Sequence, residues 1–247
     1  MIKFFRKIRQ NLLSEGNTGK YLKYAIGEIV LVVIGILIAL QINNWNEGNK
    51  EDISAKVLAK SLIQDLTKDV EFLSDATNFS AFKIKECDEL FDILKTPITD
   101  WDKERFYEKV NIVGQSNPFF PTNGTYQQII TTGSLKYFDQ SISNELNAYN
   151  MNIEQVRYWS EAEDKTLWLM ADILWKGINV QALGEIRFDN QTNNPRYIRI
   201  KDESIDEFSN YIAGVKTYRS KTLNEYKEQL TLAQKIISLL KSEYNIN

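Results

Sequence analysis

The feature that most constrains this chain is an almost uninterrupted apolar run, "YAIGEIVLVVIGILIALQI", over residues 24–42. At about 1.5 Å of rise per residue, a helix over this run is roughly 28 Å long, close to the thickness of a bilayer core. The run therefore predicts one transmembrane helix. A cleaved signal peptide is the alternative, but residues 1–23 are long for its charged region, and "LIALQINNW" lacks a convincing cleavage site.

The residues before the run are strongly basic. They carry one acid, Glu15, and the bases Lys3, Arg6, Lys7, Arg9, Lys20 and Lys23. Because positive charge is retained on the cytoplasmic side of a membrane, residues 1–23 are predicted to form a short cytoplasmic tail and residues 43–247 an exported domain. The tail also alternates apolar and basic residues in the manner of an amphipathic helix lying on the cytoplasmic leaflet.

A glutamate and two small residues mark one face of the predicted span. Glu28 shares a helical face with Gly35 and Ala39, at offsets of seven and eleven, and Gly35-x-x-x-Ala39 would permit close approach of another helix. Glu28 either orients the helix at the interface or pairs across a homo- or hetero-oligomer, and proton or ion coupling is a third reading. The face is predicted to be a membrane-helix contact.

Composition excludes several function classes. The chain has no histidine and one cysteine, which removes the usual general base, the Ser-His-Asp and Cys-His arrangements and the commonest zinc ligand. The exported part holds 24 basic and 31 acidic residues, a net charge of −7, which argues against nucleic acid as a partner. No catalytic residue, cofactor or metal site is predicted, and the protein is not expected to be an enzyme.

The single cysteine, Cys87, lies on an apolar helical stripe with Ile84, Phe91 and Leu94. This spacing predicts a buried packing residue. A redox role or an intermolecular disulfide is the alternative, and alkylation of the native protein separates the two.

The exported part has the pattern of long helices, so the predicted class is all-α, with an antiparallel helical bundle after the span. Residues from about 50 to 95 are predicted to be helical with a bend at "DATNFS", and "TDWD" is predicted to cap a short helix that ends near Val113. "TYQQIITTG" predicts a short helix stopped by Gly133, and the next helix is predicted to start at Asp139 or Ser141. A capping box from Ser204 opens the last helix, and "EIRFDNQTNNPRYIRI" favours a small β-hairpin near residues 185–200.

Two stretches of the exported part are candidate binding surfaces. The loop "GQSNPFFPTNG" is predicted either to dock a partner through Pro118, Phe119, Phe120 and Pro121 or to plug one end of the bundle with its two phenylalanines. Further along, Ser160 and Glu163 interrupt an apolar seam beside Trp159. That interruption is a candidate polar pocket for a ligand, with a kink, a solvated helix end or an internal hydrogen bond as alternatives.

The opening stretch "KYLKYAIGEI", the exit "GILIALQINNWNE" and the later "NGTYQQIITTGSLKYF" resemble a widespread family of uncharacterised single-span proteins of Gram-negative bacteria. The resemblance implies an inner-membrane protein with a periplasmic helical domain, and it implies no activity.

The leading hypothesis is a membrane-anchored periplasmic interaction protein that assembles with copies of itself or with another envelope protein. The alternatives are a periplasmic ligand-sensing module that acts through a separate partner, and a proton-coupled accessory subunit. The expected partners are the lipid bilayer and another protein.

Overall fold

The computed structural model describes residues 18–177 and 202–246, and every regular element within those ranges is helical. The predicted all-α class is therefore confirmed for the described residues. The hairpin predicted near residues 185–200 lies outside them.

Five α-helices are described: α1 Thr18–Leu94, α2 Lys103–Val113, α3 Gly124–Thr132, α4 Gln140–Gly177 and α5 Asp202–Tyr244. Single 3₁₀ turns, Ile98–Asp100 and Ser134–Tyr137, lie before α2 and after α3. The apolar run of residues 24–42 and the helix predicted over residues 50–95 thus belong to one α-helix, which the sequence did not indicate.

The interruption predicted at "DATNFS" is absent, because α1 continues without a break through residues 75–80. This stretch contains no proline, which would remove a helical hydrogen bond, and no glycine, which would lower the helix propensity. Ala76 and Ser80 are also buried, and their packing stabilises the helical path at this point.

Local capping signals were predicted correctly at three helix ends. The Asp102 side chain accepts hydrogen bonds from the backbone N–H groups of Glu104 and Arg105 and starts α2. Gly133 ends α3 in the left-handed conformation at φ 67°, and Asp139 accepts a hydrogen bond from the Ser141 N–H at the start of α4. The predicted start of α5 at Ser204 is wrong by two residues, since that helix begins at Asp202.

The chain divides into two compact units, Met1–Lys56 and Val57–Asn247. In the first unit the described residues belong to α1, and every side chain from residue 29 to residue 47 is exposed. By length and composition this part of α1 is sufficient to cross a membrane, and it is the one described helix of which that is true.

The second unit is built around three apolar clusters within its described residues. Their members include Phe106, Tyr107 and Phe208 in the first, Leu62, Leu146 and Ile236 in the second, and Leu73, Val156 and Tyr226 in the third. Hydrogen bonds and ion pairs between buried polar side chains lie between the clusters.

Helices α4 and α5 lie antiparallel in the second unit. Glu145, Asn152 and Glu163 of α4 contact Lys235, Glu225 and Arg219 of α5, so the residue numbers rise along one helix as they fall along the other. The interruption of the α4 apolar seam at Ser160 and Glu163 does not break the helix, which continues to Gly177.

Candidate functional site

The predicted membrane-helix contact is a bare surface in the first unit. Gly35 and Ala39 are exposed, and Glu28 is half-buried. A Cβ atom placed on Gly35 would meet no atom within 4 Å, so the glycine is not required by packing within the described chain. The space beside Gly35 is open to another helix.

The second candidate surface is the loop of residues 114–124, here called the pinned loop. The two adjacent phenylalanines of this loop have opposite environments. Phe119 is buried against Phe72 and Tyr226, with ring centroids 5.6 and 6.4 Å away, whereas Phe120 is 80% exposed. The plug alternative therefore holds for Phe119, while Phe120 faces solvent.

Buried cations hold the first half of the pinned loop through its backbone. The Gln115 carbonyl accepts hydrogen bonds from Lys83 Nζ at 2.6 Å and from Arg219 Nη2 at 3.2 Å. Arg219 Nη2 also donates to the Val113 carbonyl at 3.0 Å, at the end of α2. Hydrogen bonds from charged donors are stronger than neutral ones, so they fix the point where the chain leaves α2.

Tyrosine and aspartate side chains hold the remainder of the pinned loop. The Tyr226 hydroxyl donates to the Asn117 carbonyl at 3.0 Å, and the Thr122 N–H donates to Asp69 Oδ1 at 2.8 Å. The buried Tyr149 hydroxyl donates to the other oxygen of Asp69 at 2.6 Å. Burial, followed by the adjacent Asp69 charge, raises the pKa of Tyr149, so this hydroxyl stays protonated and remains a donor.

Arg219 is also half of a buried ion pair. Its Nε and Nη2 atoms donate to Glu163 Oε1 at 2.8 and 2.5 Å, and the two side chains are 1% and 8% exposed. Burying an isolated charge in this position would cost much free energy, because the charge loses its water. The opposite charge of the partner offsets this cost. Glu163 thus neutralises the guanidinium that holds the pinned loop.

Lys83 lies in the same interior, with its ammonium 4.4 Å from the centre of the Phe79 ring. Burial and then the charge of Arg219 lower the pKa of Lys83 to about 8. The lysine remains mostly charged at neutral pH, and the charge strengthens its hydrogen bond to the pinned loop.

The predicted polar pocket is reduced to a very small cavity. Ser160 and Glu163 line a space of about 20 Å³ together with Lys83, Asp164 and Tyr226. That volume holds a single water molecule. Trp159 is not among the lining residues and instead stacks on Tyr218, with the ring centroids 6.3 Å apart. For Glu163 the geometry corresponds to the internal hydrogen-bond alternative, because Arg219 donates to its carboxylate, whereas the buried Ser160 Oγ has no hydrogen-bond partner among the described residues.

Cys87 is buried, as its helical stripe predicted. Burial raises the pKa of its thiol to about 11, so almost no thiolate is present at neutral pH.

Two features of this region were missed by sequence reasoning. Residues 110–135 contain no charged residue, although 26% of the chain is charged, and this signal was available from the sequence alone. The buried roles of Lys83, Asp69 and Arg219 left no such signal, because each stands in a helix among many other charged residues.

Comparison with known proteins gives one match. Residues 28–189 match the model of a protein family described as a family of unknown function (DUF6090). The matched region includes two of the stretches on which the resemblance was based, "GILIALQINNWNE" and "NGTYQQIITTGSLKYF". No curated protein and no solved structure matches the chain.

Proposed function

This chain belongs to the DUF6090 family, whose function is unknown, and we propose from its own structure that it is a membrane-anchored interaction protein. Residues 24–42 of α1 would anchor it in the bacterial inner membrane. The exported part, residues 43–247, would form an antiparallel helical bundle in the periplasm that takes part in assembly with copies of the chain or with another envelope protein.

The observation that carries the proposal is the exposed apolar surface of α1. The side chains of residues 29–42 are all exposed, and all but one of them are apolar or glycine. An apolar surface of this size is unfavourable in water. Contact with lipid and with a second helix would cover it. Gly35 and Ala39 give that surface a position where two helix backbones can approach closely.

The interior of the second unit supports an interaction role over a ligand-sensing one. Arg219, Glu163 and Tyr226 bond to one another or to the backbone around the pinned loop. The buried Ser160 Oγ and Arg219 Nη1, in contrast, have no hydrogen-bond partner in the described part of the chain, and the cavity at the predicted pocket has room for one water molecule. A sensor of organic ligands needs a cavity of several hundred Å³, roughly 300 or more. Ligand sensing therefore stays secondary, and proton coupling through Glu28 stays an alternative.

The proposal is tested by the mass of the full chain purified in mild detergent. Gly35→Leu fills the contact face, and Gly27→Leu is a matched control, because Gly27 is also exposed but lies about 80° from Gly35 and about 100° from Glu28 around the helix. We expect a complex that Gly35→Leu weakens and Gly27→Leu leaves intact, with Glu28→Gln reporting whether the carboxyl group contributes.

A strict monomer that captures no partner on crosslinking would contradict the proposal. A complex that tolerates Gly35→Leu would remove the membrane helix from the contact and leave the helical domain to account for assembly.

A further inference from the structure

The charge of the periplasmic part restricts how two copies of it can meet. Residues 43–247 carry a net charge of −7, so two copies repel each other over most of their surfaces. The exception in sequence is the uncharged stretch of residues 110–135, which includes the pinned loop and α3. Depletion of charge together with an aromatic side chain is the composition of the core of a protein interface.

The exposed side chains of the pinned loop are suited to such a contact. They are Ser116, Asn117, Phe120 and Asn123. Phe120 is more exposed than any other large hydrophobic side chain in the described part of the chain. An aromatic ring surrounded by neutral polar groups is the usual arrangement of an interface anchor within its rim.

The loop is also held in place before any partner arrives. The carbonyl groups of Gln115 and Asn117 and the N–H of Thr122 are bonded to buried side chains, and Phe119 is packed in the interior next to Phe120. Ordering a loop on binding costs free energy, and a loop that is already ordered avoids that cost. The buried charges thus serve a surface that itself carries none.

We infer that the pinned loop is the surface through which the helical domain meets a second copy of this chain, with Phe120 as its anchor. The inference rests on the proposed assembly function and gives it a location outside the membrane. A small contact is sufficient here, because two copies tethered in one membrane are held at high effective concentration. The loop contributes no charged residue of its own to the contact, which lowers the repulsion between like-charged domains at this point.

The first test measures self-association of the full chain in mild detergent by light scattering over a range of concentrations. Phe120→Glu places a charge at the anchor, and we expect self-association to weaken by about 30-fold or more, the usual effect of losing an interface anchor. Phe82→Glu is the matched control, because Phe82 is also exposed but lies on α1 among charged neighbours. Melting temperatures of both variants equal to that of the unaltered chain establish that the fold is retained.

The second test uses the fact that the one native cysteine is buried. Asn123→Cys places a reactive thiol on the pinned loop, whereas Glu161→Cys places one on an exposed position of α4. In membranes under mild oxidation, we expect the first variant to form a disulfide-linked dimer faster than the second.

The outcomes separate this inference from the proposed function. Complexes that dissociate with Gly35→Leu but tolerate Phe120→Glu would overturn the inference and leave the assembly function standing. A chain that is monomeric under all conditions would overturn both. A complex with one copy of this chain and a different protein, sensitive to Phe120→Glu, would overturn the assignment to a second copy, as would equal crosslinking of the two cysteine variants.

Discussion

Replacing Arg219 by Met tests whether the interior of the helical domain depends on a single buried cation. The guanidinium makes two hydrogen bonds to Glu163 and one each to the carbonyl groups of Val113 and Gln115. Methionine has similar length and no donor. The variant therefore leaves the Glu163 carboxylate buried without its counterion and removes one of the contacts that hold the pinned loop.

The expected loss of stability is large. Removing one partner of a buried ion pair costs about 3–5 kcal/mol, because the remaining charge stays desolvated and unpaired. For a domain of this size, each kcal/mol lowers Tm by about 2–4 °C, so Tm should fall by roughly 6–20 °C. The double variant Arg219→Met, Glu163→Leu removes both charges, and it should recover most of this loss because an apolar pair replaces the ion pair.

The assay is thermal unfolding of the full chain in mild detergent, followed by near-ultraviolet circular dichroism. Arg219→Met, Glu163→Leu and the double variant form a double-mutant cycle, which isolates the coupling between the two side chains. The control is Lys95→Met, because Lys95 pairs with Asp92 at the surface, where both side chains are more than two-thirds exposed. We expect it to change Tm by less than about 3 °C.

Two results would refute the reasoning. A loss below about 1 kcal/mol for Arg219→Met would mean that water or another group replaces the guanidinium at little cost. A double variant as unstable as the sum of the single variants would mean that the two side chains act independently and that the ion pair is not the source of the effect.

Four further changes test other parts of the structure. Lys83 has a pKa of about 8 in the folded chain against 10.5 when unfolded, so it binds more protons in the unfolded chain between these values; stability should rise with pH from about 8 to 9, above which the raised pKa of the Cys87 thiol acts in the opposite direction, and Lys83→Met should remove the rise in a series of melts. Phe119→Ala should cost about 3–5 kcal/mol and Phe120→Ala less than about 0.5, and equal costs would contradict the opposite burial of the two rings. Cys87 should resist maleimide at neutral pH until denaturant is added, whereas rapid labelling of the native protein would show an accessible thiol. Gly133→Ala should lower stability by about 1–2 kcal/mol, because the left-handed φ of 67° is strained for any residue with a Cβ, and an unchanged Tm would show that α3 ends differently.

Local features of the fold were predictable because their causes lie within a few residues. Asp102 starts α2 by bonding N–H groups two and three positions ahead, and Gly133 ends α3 through its own backbone conformation. The stripe that contains Cys87 repeats every three or four residues, which is the spacing of one helix face. The predictions at these three positions were confirmed, whereas the capping box at Ser204 placed the start of α5 two residues too late.

The geometry around the candidate site residues could not be predicted in the same way, because it depends on distant partners. Adjacent, chemically identical Phe119 and Phe120 can be told apart only by which ring reaches Phe72 and Tyr226. The polar interruption at Ser160 and Glu163 indicated a pocket. The Glu163 carboxylate instead accepts hydrogen bonds from Arg219, which lies 56 residues further along the chain. No pattern along α4 could reveal that partner.

The amino-acid sequence was sufficient to predict the apolar run suited to a membrane, the helical class and the main caps, because helix formation, capping and hydrophobic length are properties of neighbouring residues. Packing between distant helices establishes which charges are buried, which loop they hold and which phenylalanine remains exposed. Those outcomes depend on whether a charge gains enough from its partners to offset the loss of water, and the partners come together only when helices far apart in sequence pack.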